Sequence, residues 1–271
     1  MRRGNGRWEA FGFAEFSGIR FDGKRVRFAG MPGGLKLHLH RPLPAEADIR
    51  SCVLRHDGRG WHVGLQMAVD AAAKRSVSSA VGVDLGLKVF AYCSDNVVIP
   101  NPRIAQRAEK ELRRRQRALT RCKHGSNRRP KVRARVARLH GKIVDTRNTW
   151  LHQQSAALVK RADLIAVEDL RVSNRVRHPT LARSISDASW SRFISMLDYK
   201  AEKAGSYLIR VDPKNTNQKC SGCGERVPKS LAVRTHACPS CALVIDRDHN
   251  ASLNILRAGI GVGALNVIGC R

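Results

Sequence analysis

The chain has 271 residues, with 50 Lys+Arg against 22 Asp+Glu and a formal net charge of +28. An apolar fraction of 42% excludes a wholly disordered basic tail, and the length allows one large domain or two smaller ones. No apolar run approaches the ~18–20 residues of a membrane span, and Met1-Arg2-Arg3-Gly4-Asn5-Gly6 carries charge without the apolar core of a signal peptide. So large a basic surplus calls for a polyanion, nucleic acid before any other.

Residues 1–18 are Gly-rich and patternless, which predicts a frayed, disordered end. From 19 to 69, Ile19-Arg20-Phe21, Arg25-Val26-Arg27-Phe28, Leu35-Lys36-Leu37-His38-Leu39 and Trp61-His62-Val63-Gly64-Leu65 alternate apolar with polar residues. Asp22-Gly23 and Asp57-Gly58 mark tight turns between them. This predicts a small antiparallel β module, a partial barrel, with a linker completing the stretch to residue 79. Its polar positions are mostly Arg, Lys and His; the pattern leaves open whether that face meets phosphates or is simply solvated.

Ala80-Val81-Gly82-Val83-Asp84-Leu85-Gly86-Leu87 is an apolar strand with one acid, and Val89-Phe90-Ala91-Tyr92-Cys93 is a second strand. Apolar residues then recur at threes, fours and sevens: Ile104, Ala108, Leu112 and Leu119, and again Val132, Val136, Leu139, Ile143 and Trp150. Gly125-Ser126-Asn127 and Pro130 interrupt them, so 103–161 reads as a helical hairpin. Between 103 and 147 lie 17 basic and 3 acidic residues, half the surplus of the whole chain. A solvated helix face normally mixes both signs, and this one does not, so the stretch reads as a nucleic-acid surface carried by Arg113, Arg114, Arg115, Arg117, Arg121, Lys123, Arg128, Arg129, Lys131 and Arg135.

Leu164-Ile165-Ala166-Val167-Glu168-Asp169-Leu170 repeats the theme of a buried strand ending in acid. A capped helix is predicted from Asp187 to a stop at Gly205, then a strand at Tyr207-Leu208-Ile209-Arg210-Val211. Cys220-x2-Cys223 and Cys238-x2-Cys241 sit on two small turns, Ser221-Gly222 and Pro239-Ser240, and would deliver four thiolates to one structural Zn²⁺. Free thiols or a redox pair are the other reading of such spacing. Cys52, Cys93, Cys122 and Cys270 lack it and read as packing residues or incidental thiols. Asp246-Arg247-Asp248-His249-Asn250 opens a helix over 251–258, and the Gly-rich tail 259–271 is expected to be loose.

Ionised Asp84 and Glu168 in central strands are costly unless a cation compensates them. Arg or Lys could pair with each, and Asp248 taken alone could be an ordinary acid at a helix start. Together, the order strand-acid, basic helices, strand-acid, helix, strand, helix with acid is that of an RNase H-like nuclease fold. Three carboxylates converging at one sheet edge can hold two Mg²⁺ ions, or Mn²⁺, for phosphodiester hydrolysis. Asp246 is the alternative third acid. Asp248 is preferred because it would stand on the rigid helix, whereas Asp246 is expected on a flexible exit from the zinc module.

Gly82-Val83-Asp84-Leu85-Gly86, Val167-Glu168-Asp169-Leu170, Lys219-Cys220-Ser221-Gly222-Cys223-Gly224 and Asp246-Arg247-Asp248-His249-Asn250-Ala251 resemble the RuvC-type motifs and zinc ribbon of the TnpB family, transposon-encoded proteins related to the type V CRISPR effector nucleases. Ser126-Asn127-Arg128-Arg129, Arg138-Leu139-His140 and Ser189-Trp190-Ser191-Arg192-Phe193 match as well, so the likeness covers about 19–258. The resemblance implies an α/β, RuvC-type nuclease domain over 80–213 and 246–258, with a zinc ribbon inserted at 214–245 and a wedge-like β module before it. It implies an RNA-guided DNA endonuclease whose partners are a guide RNA and a double-stranded target DNA with one strand unpaired. In such effectors base pairing reads sequence while the protein reads backbone shape and a flanking motif. It further implies a prokaryotic, cytoplasmic, nucleoid-associated protein with catalytic residues Asp84, Glu168 and Asp248. Family members carry a helical recognition region and further wedge strands ahead of the part matching residue 19, so a shortened member is expected. A catalytically silent nucleic-acid-binding protein accessory to transposition is the second reading.

Overall fold

The computed structural model describes residues 10–13, 19–28, 32–39, 43, 48–56, 60–68, 70, 72–170, 182–214, 216–230 and 233–268. They fall into two compact units: Met1–Asp70 with Ala118–Arg138, and Ala71–Arg117 with Leu139–Arg271.

The first unit is built from β1 (Ala10–Phe13), β2 (Ile19–Phe21), β3 (Arg25–Phe28), β4 (Leu35–Lys36), β5 (Asp48–His56) and β6 (Trp61–Ala68). They form two three-stranded antiparallel sheets, ordered β1-β5-β6 and β2-β3-β4. Both sheets contribute to one apolar cluster: Ile19, Val26 and Cys52, with Phe21, Phe28, Leu37, Val63 and Leu65 against it. Cys52 is thus a packing residue, and burial pushes its thiol up. The Asp22-Gly23 turn forms as its residues dictate. The Asp22 carboxylate accepts the backbone N–H of Lys24 at 3.0 Å and of Arg25 at 2.6 Å, and Gly23 takes φ +86°. Two expectations are corrected here. Ala10–Phe13 is not frayed, because it pairs with β5 from Ala10↔Arg55 to Phe13↔Cys52. The long strand β5 carries no clean alternation in sequence and was not predicted. The Asp57-Gly58 turn lies outside the described residues.

The second unit is organised on β7 (Ala80–Leu85), β8 (Val89–Cys93), β9 (Val98–Pro100), β10 (Leu164–Glu168) and β11 (Tyr207–Val211), in the order β11-β10-β7-β8-β9. β7, β10 and β11 are parallel, whereas β7-β8-β9 is an antiparallel meander. Period-two alternation gives the sheet two apolar faces. On one, Val81, Val83, Leu85, Ile165 and Val167 meet Leu151, Leu158, Trp190, Phe193 and Leu197. Those partners come from α2 (Arg128–Arg161) and α4 (Trp190–Ala204), with Phe90 edge-on to Trp150 at 4.7 Å and to Phe193 at 4.9 Å. On the other face, Leu164, Ala166, Ile209 and Val211 meet Ile255 of the last helix, α5 (Arg247–Ile268).

The basic hairpin is α1 (Ile104–Thr120) followed by α2, with Pro130 in the first turn of α2, where its missing N–H is harmless. The predicted helix from Asp187 is instead two helices, α3 (Ala182–Ala188) and α4. They break at Ser189, which adopts φ +54° and makes no side-chain cap. Asp187 serves a distant helix: its carboxylate accepts the N–H of Ala105 in the first turn of α1 at 3.0 Å and pairs with Arg147 of α2 at 2.7 Å. The predicted loose tail is also corrected, since α5 continues through Ile268. No described helix is long and apolar enough to cross a membrane.

Candidate active site

Asp84 and Glu168 are brought together by register. β7 and β10 are parallel and pair Val83 with Val167, so the next residues stand side by side at the carboxyl ends of adjacent strands. Adjacent strands lie roughly 4.8 Å apart. Alternation turns both residues to the face covered by α5, because Val83 and Val167 belong to the opposite core. Asp84 is 8% exposed and Glu168 4%. Glu168 accepts a hydrogen bond from the Thr216 hydroxyl. Across β8, Tyr92 is the register partner of Asp84, and its ring stacks on His249 of α5 at 5.2 Å. Burial first, then the charges of Asp246 and Asp248, push the Tyr92 phenol up, which places the start of α5 beside this row.

α5 reaches that position because Gly82 lets it. A Cβ on Gly82 would stand 2.2 Å from the Ser252 carbonyl oxygen and 2.5 Å from the Leu256 nitrogen. A Cβ on Gly259 of the helix would likewise stand 2.4 Å from the Cβ of Ala166. The helix backbone therefore rests on the sheet at two glycines, one on each partner.

Asp248 is in the first turn of α5 and its carboxylate is held by two guanidinium groups, Arg247 at 3.0 Å and Arg234 at 3.3 Å. Asp246 is not on a flexible exit. It ends β13 (Val244–Asp246), which pairs with β12 (Thr235–Ala237), and its carboxylate caps α5 by accepting the N–H of Asp248 at 2.8 Å and of His249 at 3.3 Å. Among the described residues, four cysteines alone form a cluster of three or more His, Cys, Asp or Glu with ligand atoms within 4.8 Å of one another. The three acids surround one end of the sheet without closing to that distance. Their oxygen donors nevertheless fit a hard divalent cation, and two adjacent buried carboxylates require a positive charge nearby.

That closed cluster is Cys220, Cys223, Cys238 and Cys241. Cys220 and Cys241 sulfurs are 3.6 Å apart, as are those of Cys223 and Cys238. A tetrahedron with Zn–S near 2.3 Å separates its sulfurs by roughly 3.8 Å, so the set fits zinc. The two turns are built alike: Gly224 N–H donates to Cys220 O at 2.9 Å and Ala242 N–H to Cys238 O at 3.0 Å, with φ +82° and +58°. Burial opposes ionisation of Cys238, but the backbone N–H groups of Cys241 and Ser240, together with the Cys223 and Cys241 thiols, bring it down to about 7. The Cys241 thiol is pushed up to about 12 by its neighbours and by burial. The ribbon docks on α5 through Asn250, fully buried, which accepts Ser221 N–H at 2.8 Å and donates to Lys219 O at 2.7 Å.

Of the predicted nucleic-acid residues, Arg113, Arg114, Arg117, Arg121, Lys123, Arg128, Lys131 and Arg135 are exposed on the hairpin, and Arg115 is half-buried. Arg113 and Arg115 pair with Glu109 and Glu111 one turn earlier. Arg129 does a different job: it donates to the carbonyls of Leu119 at 3.4 Å and Cys122 at 3.1 Å, closing the end of α1. Tyr92, Thr216, Arg234 and His249 were not singled out from sequence. Only strand register and the ribbon fold bring them to the acids.

A family model described as "Probable transposase" matches residues 63–178, and one described as "Cas12f1-like, TNB domain" matches residues 190–255. A candidate RNA-guided DNA endonuclease of Streptomyces pristinaespiralis is 36% identical over 233 residues, 85% of this chain and 58% of that protein. InsQ of Escherichia coli K12, likewise a candidate RNA-guided DNA endonuclease, is 31% identical over 219 residues, 74% of this chain and 54% of that protein. The CRISPR-associated endodeoxyribonuclease Cas12f1 of Sulfoacidibacillus thermotolerans is 24% identical over 246 residues, 82% and 56%. A cryo-EM structure of a Cas12f1–sgRNA–target DNA complex superposes with TM-score 0.50 at 16% identity, over 76% of this chain and 55% of that one, a likeness of fold. The chain thus spans little more than half the length of these relatives.

Proposed function

We propose that this chain, related to the TnpB-type transposon proteins and to Cas12f1, is a metal-dependent DNA endonuclease guided by RNA. The observation that carries the reading is the Val83↔Val167 register, which sets Asp84 and Glu168 side by side beneath the helix whose first turn carries Asp248. Three parallel strands continued by an antiparallel meander support an RNase H-like, RuvC-type assignment of the second unit. The two sheets around one core support reading the first unit as a partial barrel.

Asp84, Glu168 and Asp248 would hold two Mg²⁺ ions, which when bound activate a water for in-line attack and stabilise the leaving oxygen. The protein's own share is positional. The sheet fixes two carboxylates, α5 carries the third, and Asp246 holds the first turn of that helix in place. Arg234 and Arg247 pair with Asp248 and would offer positive charge to a phosphodiester bound beside it. The basic hairpin would track nucleic-acid backbone, and guide and target partners are proposed from the names of the relatives.

The pairing of Asp248 with two arginines also favours a second reading, a binding protein whose third acid serves as an ion-pair anchor. Plasmid nicking with Mg²⁺ and co-purified RNA separates the two. Asp248→Ala should abolish cleavage while zinc content and DNA binding stay near normal, and Asp246→Ala, which costs about 1 kcal/mol of capping, should reduce it only partly. No Mg²⁺-dependent cleavage by the unaltered protein with its RNA would select the binding reading.

A further inference from the structure

Glu168 is not positioned by its strand alone. The Thr216 hydroxyl lies against its Oε1, with the Pro213 carbonyl 3.2 Å away on the other side. A hydroxyl has one proton and here two acceptors, and the carboxylate is the stronger one. Thr216 is 6% exposed, so water does not compete for that bond. Thr216 is itself fixed from below. Asn254 of α5 donates to the Thr216 carbonyl at 2.9 Å and to the Lys219 carbonyl at 2.7 Å. Asn250, Asn254 and Arg257, spaced four and three apart, form one polar stripe of the helix. Arg257 ends it by donating to Ser221 O at 2.8 Å. The stripe therefore grips the chain from Thr216 to Ser221, which includes the zinc cysteine Cys220 and leads to Cys223.

We infer that Thr216 is a positioning residue for Glu168: held by Asn254 at the entry to the zinc ribbon, it fixes the carboxylate in the orientation that binds a divalent cation. The inference rests on Asp84 and Glu168 being the metal-holding pair. A metal ligand displaced by more than about half an ångström binds poorly, and losing a hydrogen bond behind a ligand typically costs 10–100-fold in metal affinity. The bond also links zinc to the nuclease site, because the segment carrying Thr216 is ordered between α5 and the first cysteine turn.

The test is Mn²⁺ binding to the zinc-loaded full chain, read by electron paramagnetic resonance of free Mn²⁺, with zinc content and thermal midpoint measured on the same samples. Thr216→Val removes the donor at nearly constant volume; Thr216→Ala is a second donor-free variant that adds no bulk. Both should weaken Mn²⁺ binding tenfold or more with zinc unchanged, and Thr216→Ser should recover it to within about threefold. Glu168→Gln in parallel should remove the site. If a donor-free variant keeps its zinc and binds Mn²⁺ as the unaltered protein does while Glu168→Gln does not, the positioning role is wrong and the metal site stands. If the unaltered protein and Glu168→Gln bind alike, the metal reading itself fails and the inference falls with it.

Discussion

Gly82 shows how one residue sets the distance between sheet and helix. It has no left-handed φ to explain it; the reason is the α5 backbone lying over the position its Cβ would take. Gly82→Ala must push α5 off β7, because the clashing atoms are backbone and cannot rotate away. Overpacking of this kind costs about 1–3 kcal/mol. The expected result is a lower denaturant midpoint with zinc retained, and cleavage reduced further than stability alone would explain, since Asp248 moves with α5. A midpoint equal to that of the unaltered protein would show that the helix settles without cost. At this scale the sequence was informative where chemistry is local. Asp84, Glu168 and the four cysteines stand out because buried-looking strands do not carry acids and turns do not repeat cysteine by chance. Thr216 and Tyr92 do not, since a threonine in a loop and a tyrosine in a strand acquire meaning only from neighbours far away in sequence. Asp187 is the converse case, a residue that reads as a local cap and serves another helix.

Among the elements, the hairpin and the sheets differ in how their charge is organised. Along α1 and the start of α2 most of the basic residues are exposed, and Glu109 and Glu111 pair with Arg113 and Arg115. In the first unit, Arg20 stands opposite Arg27 and Arg25 opposite Lys36, two like-charge pairs on one face of a single sheet. Like charges directly opposed destabilise a sheet unless something negative covers them, and Asp22 does so in part by pairing with Arg27 at 3.3 Å. Helix periodicity revealed the hairpin, but it could not distinguish Arg129, which closes a turn, from its neighbours. Replacing Arg113, Arg114, Arg115 and Arg117 with Gln should weaken binding to DNA of any sequence and flatten log K against log salt by up to about 3–4. Arg129→Gln should instead lower stability and leave the slope nearly unchanged. A salt slope insensitive to the four-fold change would reduce this stretch to a solvated face.

Within the second unit, the zinc ribbon is tied to the last helix by hydrogen bonds, and none of its residues belongs to the apolar clusters of the sheet. Asn250, Asn254 and Arg257 hold it from α5, and Thr216 carries the connection on to Glu168. The sheet has its own cores on both faces, drawn from its five strands and from α2, α3, α4 and α5, and none of those residues is a zinc ligand. Zinc should therefore fold the ribbon without being needed to fold the sheet. Chelation, or Cys238→Ser, should open 214–245 to limited proteolysis, since metal binding supplies the folding energy of such modules. Fragments beginning in 80–170 should resist, because Phe90, Leu151 and Ile165 are fully buried without help from the ribbon. Mn²⁺ binding should weaken in parallel with zinc loss, because Thr216 loses its fixed backbone once the segment to Ser221 is free. Readdition of Zn²⁺ should restore both protection and Mn²⁺ binding in the unaltered chain and neither in Cys238→Ser. If zinc-free protein keeps 214–245 protected, the cysteines are incidental to folding. If it loses protection yet binds Mn²⁺ as before, the ribbon and the acids are independent parts that share a helix.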